Sequence, residues 1–143
     1  MKIADANLLL YAYNESATQH EPAKEWLENT LASPEIFGLS WQIITAFLRI
    51  STNSRAFPLP FTLSETIDIV DDWLAQPQVR IIVPTEKHWK IFSGLIIEGQ
   101  TNGAMMMDAH LAALAIEHGA VLATTDRDFT RFSKLKTINP LTI

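Results

Sequence analysis

The feature that most constrains this chain is an alternation of short apolar segments with longer segments whose apolar residues recur at helical spacing. The short segments predict strands at residues 2–4, 35–39, 79–83 and 121–124, and an edge strand at 137–139. Capping boxes predict two of the helix starts, Thr18 with Glu21 and Thr62 with Glu65. Because strands joined through helices pair in parallel, the pattern predicts an α/β fold of three layers, α/β/α, with a small, mainly parallel central sheet.

The chain has the length of one domain. It contains 143 residues, 48% of them apolar, and neither a repeat nor a linker divides it, so a single domain over residues 1–143 is expected. The first residues, with one Lys and an early Asp5, match neither a signal peptide nor a membrane span. The absence of cysteine excludes disulfide scaffolds, thiol catalysis and cysteine zinc sites, and agrees with a cytoplasmic location.

The net charge argues against a broad basic surface for nucleic acid. Eleven Lys and Arg against sixteen Asp and Glu give −5 at pH 7, the wrong sign for a protein that holds phosphates with its own cations. An acidic site can still approach phosphate through bound divalent cations, because the metal supplies the missing positive charge. The positions of the acids therefore matter more than their number.

Aspartates follow two of the predicted strands. Since parallel strands point their carboxyl ends at one edge of a sheet, Asp5 and Asp126 are expected to lie close together. Asp108 opens an alanine-rich helix over 108–118 that permits close packing, and Asp128 lies two residues after Asp126. Each Asp is also in a position to cap a helix. Together they favour a shared site for Mg²⁺ or Mn²⁺, which prefer oxygen ligands and offset carboxylate repulsion.

Other polar and aromatic residues are interpreted as structural. Asp68, Asp71 and Asp72 recur at the spacing of an exposed helix face. The four histidines lack the clustered spacing of a zinc site. The four tryptophans lie within helical apolar patterns, which predicts core packing rather than base stacking.

Four segments, in this order, resemble the PIN-domain ribonucleases and specifically the VapC-type toxins of bacterial toxin–antitoxin pairs. They are residues 5–9 (DANLL), Trp41 with residues 46–49 (AFLR), residues 108–115 (DAHLAALA) and residues 124–129 (TTDRDF). The resemblance spans nearly the whole chain. It rests on the order and spacing of the segments rather than on any one of them.

The resemblance implies a metal-dependent endoribonuclease, the toxin of a toxin–antitoxin pair, that hydrolyses RNA phosphodiester bonds with a metal-activated water. Mg²⁺ or Mn²⁺ is the implied cofactor, and a cognate antitoxin and a second copy of the chain are the implied protein partners. By position, Asp5, Asp108 and Asp126 are the implied catalytic and metal-binding acids, with Asp128 as a further metal ligand. Asn7 falls on a polar position that supports the site.

One position departs from the family pattern. The family usually has Glu just before Phe-Leu-Arg, where this chain has Ala46. Gln42, one helical turn earlier on the same face, supplies an amide oxygen but no charge. For Arg49, two roles stay open: contact with a phosphate or site carboxylate, and an ordinary ion pair. The alternative function is a catalytically silent PIN-like module that binds a partner protein.

Two other folds with acidic sites fit poorly. A phosphoacceptor receiver domain needs an acidic pair after its first strand, an Asp at the end of its third strand and a late Lys, whereas the third predicted strand here ends in Pro84. An aspartyl phosphatase needs Asp-x-Asp after the first strand, and this chain has Asn7 at the second acidic position.

Overall fold

The computed structural model describes residues 1–141 and contains one five-stranded sheet in this range, in the order β3-β2-β1-β4-β5. All neighbouring strands are parallel, which confirms the predicted sheet. The strands are β1 (Lys2–Ala4), β2 (Phe37–Leu39), β3 (Val79–Ile81), β4 (Val121–Ala123) and β5 (Lys136–Ile138). The chain therefore starts near the middle of the sheet, winds to one edge, and crosses over to build the other side.

Helices connect the strands. They are α1 (Ala6–Tyr13), α2 (His20–Ala32), α3 (Trp41–Ser51), α4 (Leu63–Ala75), α5 (His88–Glu98) and α6 (Met105–Glu117), followed by a 3₁₀ helix at Arg127–Arg131. In β2 all three residues are buried, and since successive side chains point to opposite faces, both faces of the sheet are covered. This confirms the three-layer architecture. None of the described helices has the length and apolar character needed to cross a membrane.

An aromatic cluster holds α4 against α1 and α3. Trp73 is only 1% exposed, and its ring centroid lies 4.7 Å from that of Phe47 and 5.9 Å from that of Tyr13. The indole Nε1–H donates to the Tyr13 hydroxyl at 2.9 Å, so the buried polar atom is satisfied. Since α1 and α3 both contribute residues to the site described below, this cluster fixes the scaffold behind it.

The capping box predicted at Thr18 is wrong. Helix α2 begins at His20, and its N-cap residue Gln19 makes no side-chain capping hydrogen bond. The Thr18 hydroxyl instead donates to the Gln19 amide oxygen at 3.0 Å. A side chain engaged with its own neighbour is not available to the backbone N–H groups of the first helical turn.

Two other helix starts bear on the site. The capping box of Thr62 and Glu65 is confirmed, since both of its reciprocal hydrogen bonds are present. Helix α6 begins at Met105, one turn before the predicted start, so that Asp108 lies within the first turn instead of opening the helix. Asp108 is thereby free of a capping role and presents its carboxylate to the carboxyl edge of the sheet.

Candidate metal centre

Asp5 leaves β1 at the point where the strand ends. Its backbone N–H donates to the Ala123 carbonyl at 2.9 Å, which keeps β1 joined to β4 up to this residue. One carboxylate oxygen accepts the Ala6 N–H at 2.8 Å and caps α1, and the other accepts the Thr124 hydroxyl at 2.8 Å. Asp5 therefore has the expected cap geometry and is also rigidly held at the edge of the sheet.

The Thr124 hydroxyl connects the ends of two strands. Besides donating to Asp5, its oxygen accepts the Asp126 N–H at 3.0 Å. Asp126 in turn caps the 3₁₀ helix by accepting the Asp128 N–H at 2.8 Å. The threonine that follows β4 thus sets the relative positions of Asp5 and Asp126, a role that its sequence position alone did not indicate.

The topology explains why these two acids meet. β1 and β4 are neighbours in the sheet, and the strand order reverses direction between them. In open parallel sheets, ligands bind at such a switch point, beyond the carboxyl ends of the strands. Asp5 and Asp126 flank this crevice although nearly the whole chain separates them.

Asp108 experiences the charge of the other three predicted acids. Burial, followed by the charges of Asp126, Asp5 and Asp128, raises the pKa of its carboxyl to about 6, and Arg131 partly opposes the effect. Burial and the neighbouring carboxylates both disfavour the charged form of Asp108, and the one nearby cation offsets them only in part.

Burial also raises the pKa of Asp5. Hydrogen bonds from Thr124 and Ala6 oppose this effect, and the charge of Asp126 adds to it. The two carboxylates that line the cavity, Asp5 and Asp108, therefore both lie where the ionised form is disfavoured. A bound cation reverses this preference.

A cavity of about 420 Å³ lies between α1, α3 and α6. Gln42, Ala46 and Arg49 of α3 face Asp5 and Asp108 across it. The small side chain of Ala46 leaves space where the family resemblance implies a Glu. Within the described residues, Arg49 has no carboxylate within 4.0 Å, so its guanidinium is available to a ligand. Asn7 lies at an exposed position of α1 and does not line this cavity.

The residues fit a hard, oxygen-preferring cation by their chemistry. The donors are aspartate oxygens, and the Gln42 amide oxygen is buried without a hydrogen-bond partner while Nε2 of the same side chain donates to the Met107 sulfur at 3.1 Å. In residues 1–141 no three His, Asp or Glu side chains are grouped closely enough to form a ready metal cage. Without a bound cation, carboxylates repel one another, which favours larger distances between them.

Arg131 is a basic residue near the acids that the sequence pattern did not indicate. Its guanidinium donates to the carbonyl oxygens of Gly99 at 3.0 Å and Asp128 at 3.1 Å. Gly99 permits this approach, because a Cβ there would lie 2.7 Å from the ring of Phe132 and 3.1 Å from Cδ of Arg131. The signal in the sequence was weak: one Arg three residues after Asp128.

The core interpretation is wrong for two of the four tryptophans. Trp73 is buried and Trp26 half-buried, as predicted, but Trp41 is 57% exposed and Trp89 is 69% exposed. Trp41 begins α3 at the edge of the sheet, directly after β2. The helical spacing of apolar residues predicts which face of a helix is apolar. It does not show which parts of that face another element covers.

Comparisons with known proteins agree with the family resemblance and with the observed fold. The PIN domain family model matches residues 2–135. The chain is similar to Ribonuclease VapC37 of Mycobacterium tuberculosis, with 39% identity over 140 residues that cover 98% of this chain and 97% of that protein. Among solved structures it is similar to VapBC2 from Rickettsia felis bound to a DNA fragment from its promoter (TM-score 0.69, 17% identity, 96% of this chain and 97% of that one). It is also similar to a toxin–antitoxin complex from Klebsiella pneumoniae (TM-score 0.64, 18% identity, 98% of both chains).

Proposed function

The chain belongs to the PIN-domain family, within it to the VapC-type ribonuclease toxins, and we propose that it cleaves RNA as a divalent-metal-dependent endoribonuclease. The observation that supports this most is the raised pKa of Asp108, caused by burial and by the charges of the other three predicted acids. Asp5 and Asp108 line one cavity, and the charges of Asp126 and Asp128 also act on Asp108, with Arg131 offsetting them only in part. This arrangement fits a metal centre better than four independent caps.

In this proposal Asp5, Asp108 and Asp126 hold Mg²⁺ or Mn²⁺, and Asp128 assists. When bound there, a divalent ion would polarise a phosphate oxygen and lower the pKa of a water molecule. The Arg49 guanidinium donates to a non-bridging phosphate oxygen, and the Gln42 amide oxygen accepts a hydrogen bond from the attacking water. The proton that the water loses passes to solvent, and solvent protonates the departing 3′-oxygen. The new bond joins the water oxygen to phosphorus, the bond to the 3′-oxygen breaks, and the products carry 5′-phosphate and 3′-hydroxyl ends.

Protein partners are part of the same proposal. The similar toxin–antitoxin complex supports an antitoxin as partner. We expect it to direct a basic side chain toward Asp5, Asp108 and Asp126, where a positive charge mimics the metal. We also propose a homodimer and a cytoplasmic location. Metal affinity that is unchanged by the bound antitoxin would contradict the basic side chain.

The proposal is tested with purified protein, structured RNAs, and Mg²⁺ or Mn²⁺. We expect cleavage that a chelator abolishes and that returns when the metal is restored, with 5′-phosphate product ends. RNA that stays intact with every metal would favour the alternative function, a catalytically silent PIN-like module, which the replacement of the family's Glu by Ala46 suggests. A relative that matches nearly the full chain is a ribonuclease by name, which supports the enzyme.

Replacing Ala46 with Glu is expected to tighten Mn²⁺ binding on the order of tenfold, because one more carboxylate then faces the cavity beside Asp5 and Asp108. Ala46 lines the cavity together with Asp5 and Asp108, one helical turn after Gln42. A glutamate side chain at this position would therefore extend into the cavity. Titration calorimetry measures the effect. Ala46→Gln is the matched control, since it adds the same volume without charge, and equal affinities of the two variants would contradict a metal centre at this place.

A further inference from the structure

A second cavity lies beside the first, along the same edge of the sheet. It has a volume of about 430 Å³ and lies beyond the ends of β2 and β3, where Ser40 and residues 82–84 line it. Gln42 and Met107 line both cavities. Because Nε2 of Gln42 donates to the Met107 sulfur at 3.1 Å, this contact forms the partition between the two cavities.

The walls of the second cavity are mainly apolar and aromatic. Trp41, which is more than half exposed, lines it together with Phe92 and Leu114. No Lys or Arg is among its described lining residues, so it offers no charge for a phosphate group. A flat heterocycle with a polar edge fits such walls, because every nucleobase has a π-face that stacks on an indole.

One polar side chain in the cavity is held by a chain of hydrogen bonds. The Glu117 side chain is fully buried, and its carboxylate lies 2.6 Å from Nδ1 of His88. Nε2 of His88 lies 3.0 Å from Nδ1 of His110, which lines the cavity. The second Glu117 oxygen accepts the Thr85 N–H at 2.7 Å, which fixes the carboxylate at which this series of hydrogen bonds begins.

The hydrogen bonds from Glu117 through His88 to His110 leave one ring nitrogen of His110 for a ligand. Within the described residues, no hydrogen bond reaches Nε2 of His110. With a neutral His88, the Nδ1–H of His110 donates to His88 and Nε2 is an acceptor; with a protonated His88 paired to Glu117, Nε2 carries the hydrogen and donates. In both arrangements the ring of His110 is oriented and Nε2 is the atom available in the cavity.

We propose that the second cavity binds a nucleobase of the RNA next to the scissile phosphate, with Trp41 as the stacking surface and Nε2 of His110 as the partner of the base edge. The inference rests on the proposed function. Continuity with the acidic cavity through Gln42 and Met107 favours a base of the same strand as the occupant. β1 and β3 are two strand positions apart, roughly 10 Å, a span on the scale of neighbouring nucleotides.

The first test is kinetic. Trp41→Ala and His110→Ala are compared with wild type on short RNAs that differ only in the nucleotide beside the cleaved bond. We expect KM to rise on the order of tenfold with little change in kcat, and the preference among the four bases to flatten. Trp89→Ala is the matched control, because Trp89 is also an exposed tryptophan and is not a lining residue of either cavity.

The second test does not depend on cleavage. In metal-free ¹⁵N-labelled protein, nucleosides without phosphate should shift the indole Nε1–H signal of Trp41 and leave that of Trp89 in place, and His110→Ala should reduce the shift. The Trp41→Ala and Trp89→Ala variants assign the two signals. Because Trp41 is a surface residue, its variant remains informative where His110→Ala fails to fold.

The outcomes separate the two proposals. If wild type cleaves RNA but Trp41→Ala and His110→Ala match Trp89→Ala in KM, base preference and nucleoside shifts, the base subsite is wrong and the ribonuclease stands. If those variants lose only antitoxin binding, the cavity belongs to a protein interface and the subsite is again wrong. If no RNA is cleaved with any metal, the proposed function fails, whatever the nucleosides do.

Discussion

Replacing Asp108 with Asn is expected to lower kcat/KM for RNA cleavage by at least about a thousandfold, because several kcal/mol of transition-state stabilisation depend on a correctly held divalent ion. Asparagine keeps the size of the side chain and removes the charge. Single-turnover RNA cleavage at saturating Mn²⁺ measures the loss. Asp68→Asn, on the exposed face of α4, is the matched control and should behave as wild type. Activity of Asp108→Asn within tenfold of the control would remove Asp108 from the catalytic site.

The same variant should make the metal-free protein more stable at neutral pH. The pKa of Asp108 in the folded protein is about 6, above its ordinary value of 3.8. The contribution of this group to folding is therefore fully present below about pH 4 and is lost as the pH rises through 6. Neutralising it should raise Tm by a few degrees at pH 7.5, since partial solvent exposure limits the effect to about 1 kcal/mol.

Thermal unfolding in the presence of a chelator measures this gain across pH. The gain in Asp108→Asn should shrink as the pH falls and be absent at pH 4, where wild type is also neutral at this position. A gain of the same size at pH 4 and pH 7.5 would show that packing, and not charge, distinguishes the two side chains.

Trp73→Ala should have the largest effect on stability, a loss of about 3–5 kcal/mol in the free energy of unfolding. The substitution removes a buried ring that contacts Tyr13 and Phe47, and it leaves the Tyr13 hydroxyl without its indole donor. Urea unfolding of metal-free protein measures it. Trp73→Phe keeps much of the ring volume and loses the hydrogen bond, so we expect it to cost about 1–2 kcal/mol. Equal losses in both variants would contradict a packing role for the indole.

The parallel sheet could be predicted because its central strands are short apolar segments between helical patterns, whereas β5 is exposed along its length. A strand buried on both faces is apolar throughout, and residues 37–39 and 121–123 show this directly. The helix starts were less predictable. α6 starts at Met105 after a turn at Gly103, whose positive φ of 56° changes the direction of the chain. The spacing of apolar residues does not reveal such a turn.

The acids of the candidate site were predictable for a topological reason. Asp5 and Asp126 each follow a strand, and parallel topology converts that local fact into a shared edge. The second cavity was not predictable in this way. His88, His110 and Glu117 come from two helices at spacings that no local rule connects, and they meet only because α5 packs against α6.

The strand order also decides when during synthesis the protein becomes a nuclease. Asp5 is made with β1, but its companion acids are made only with α6 and with the loop after β4, after two further strands have been synthesised. β1 pairs with β2 on one side and with β4 on the other. A chain that ends before α6 therefore has only part of the sheet and, of the predicted site acids, only Asp5. A chain that stops before β4 therefore lacks the shared edge on which the candidate site is built.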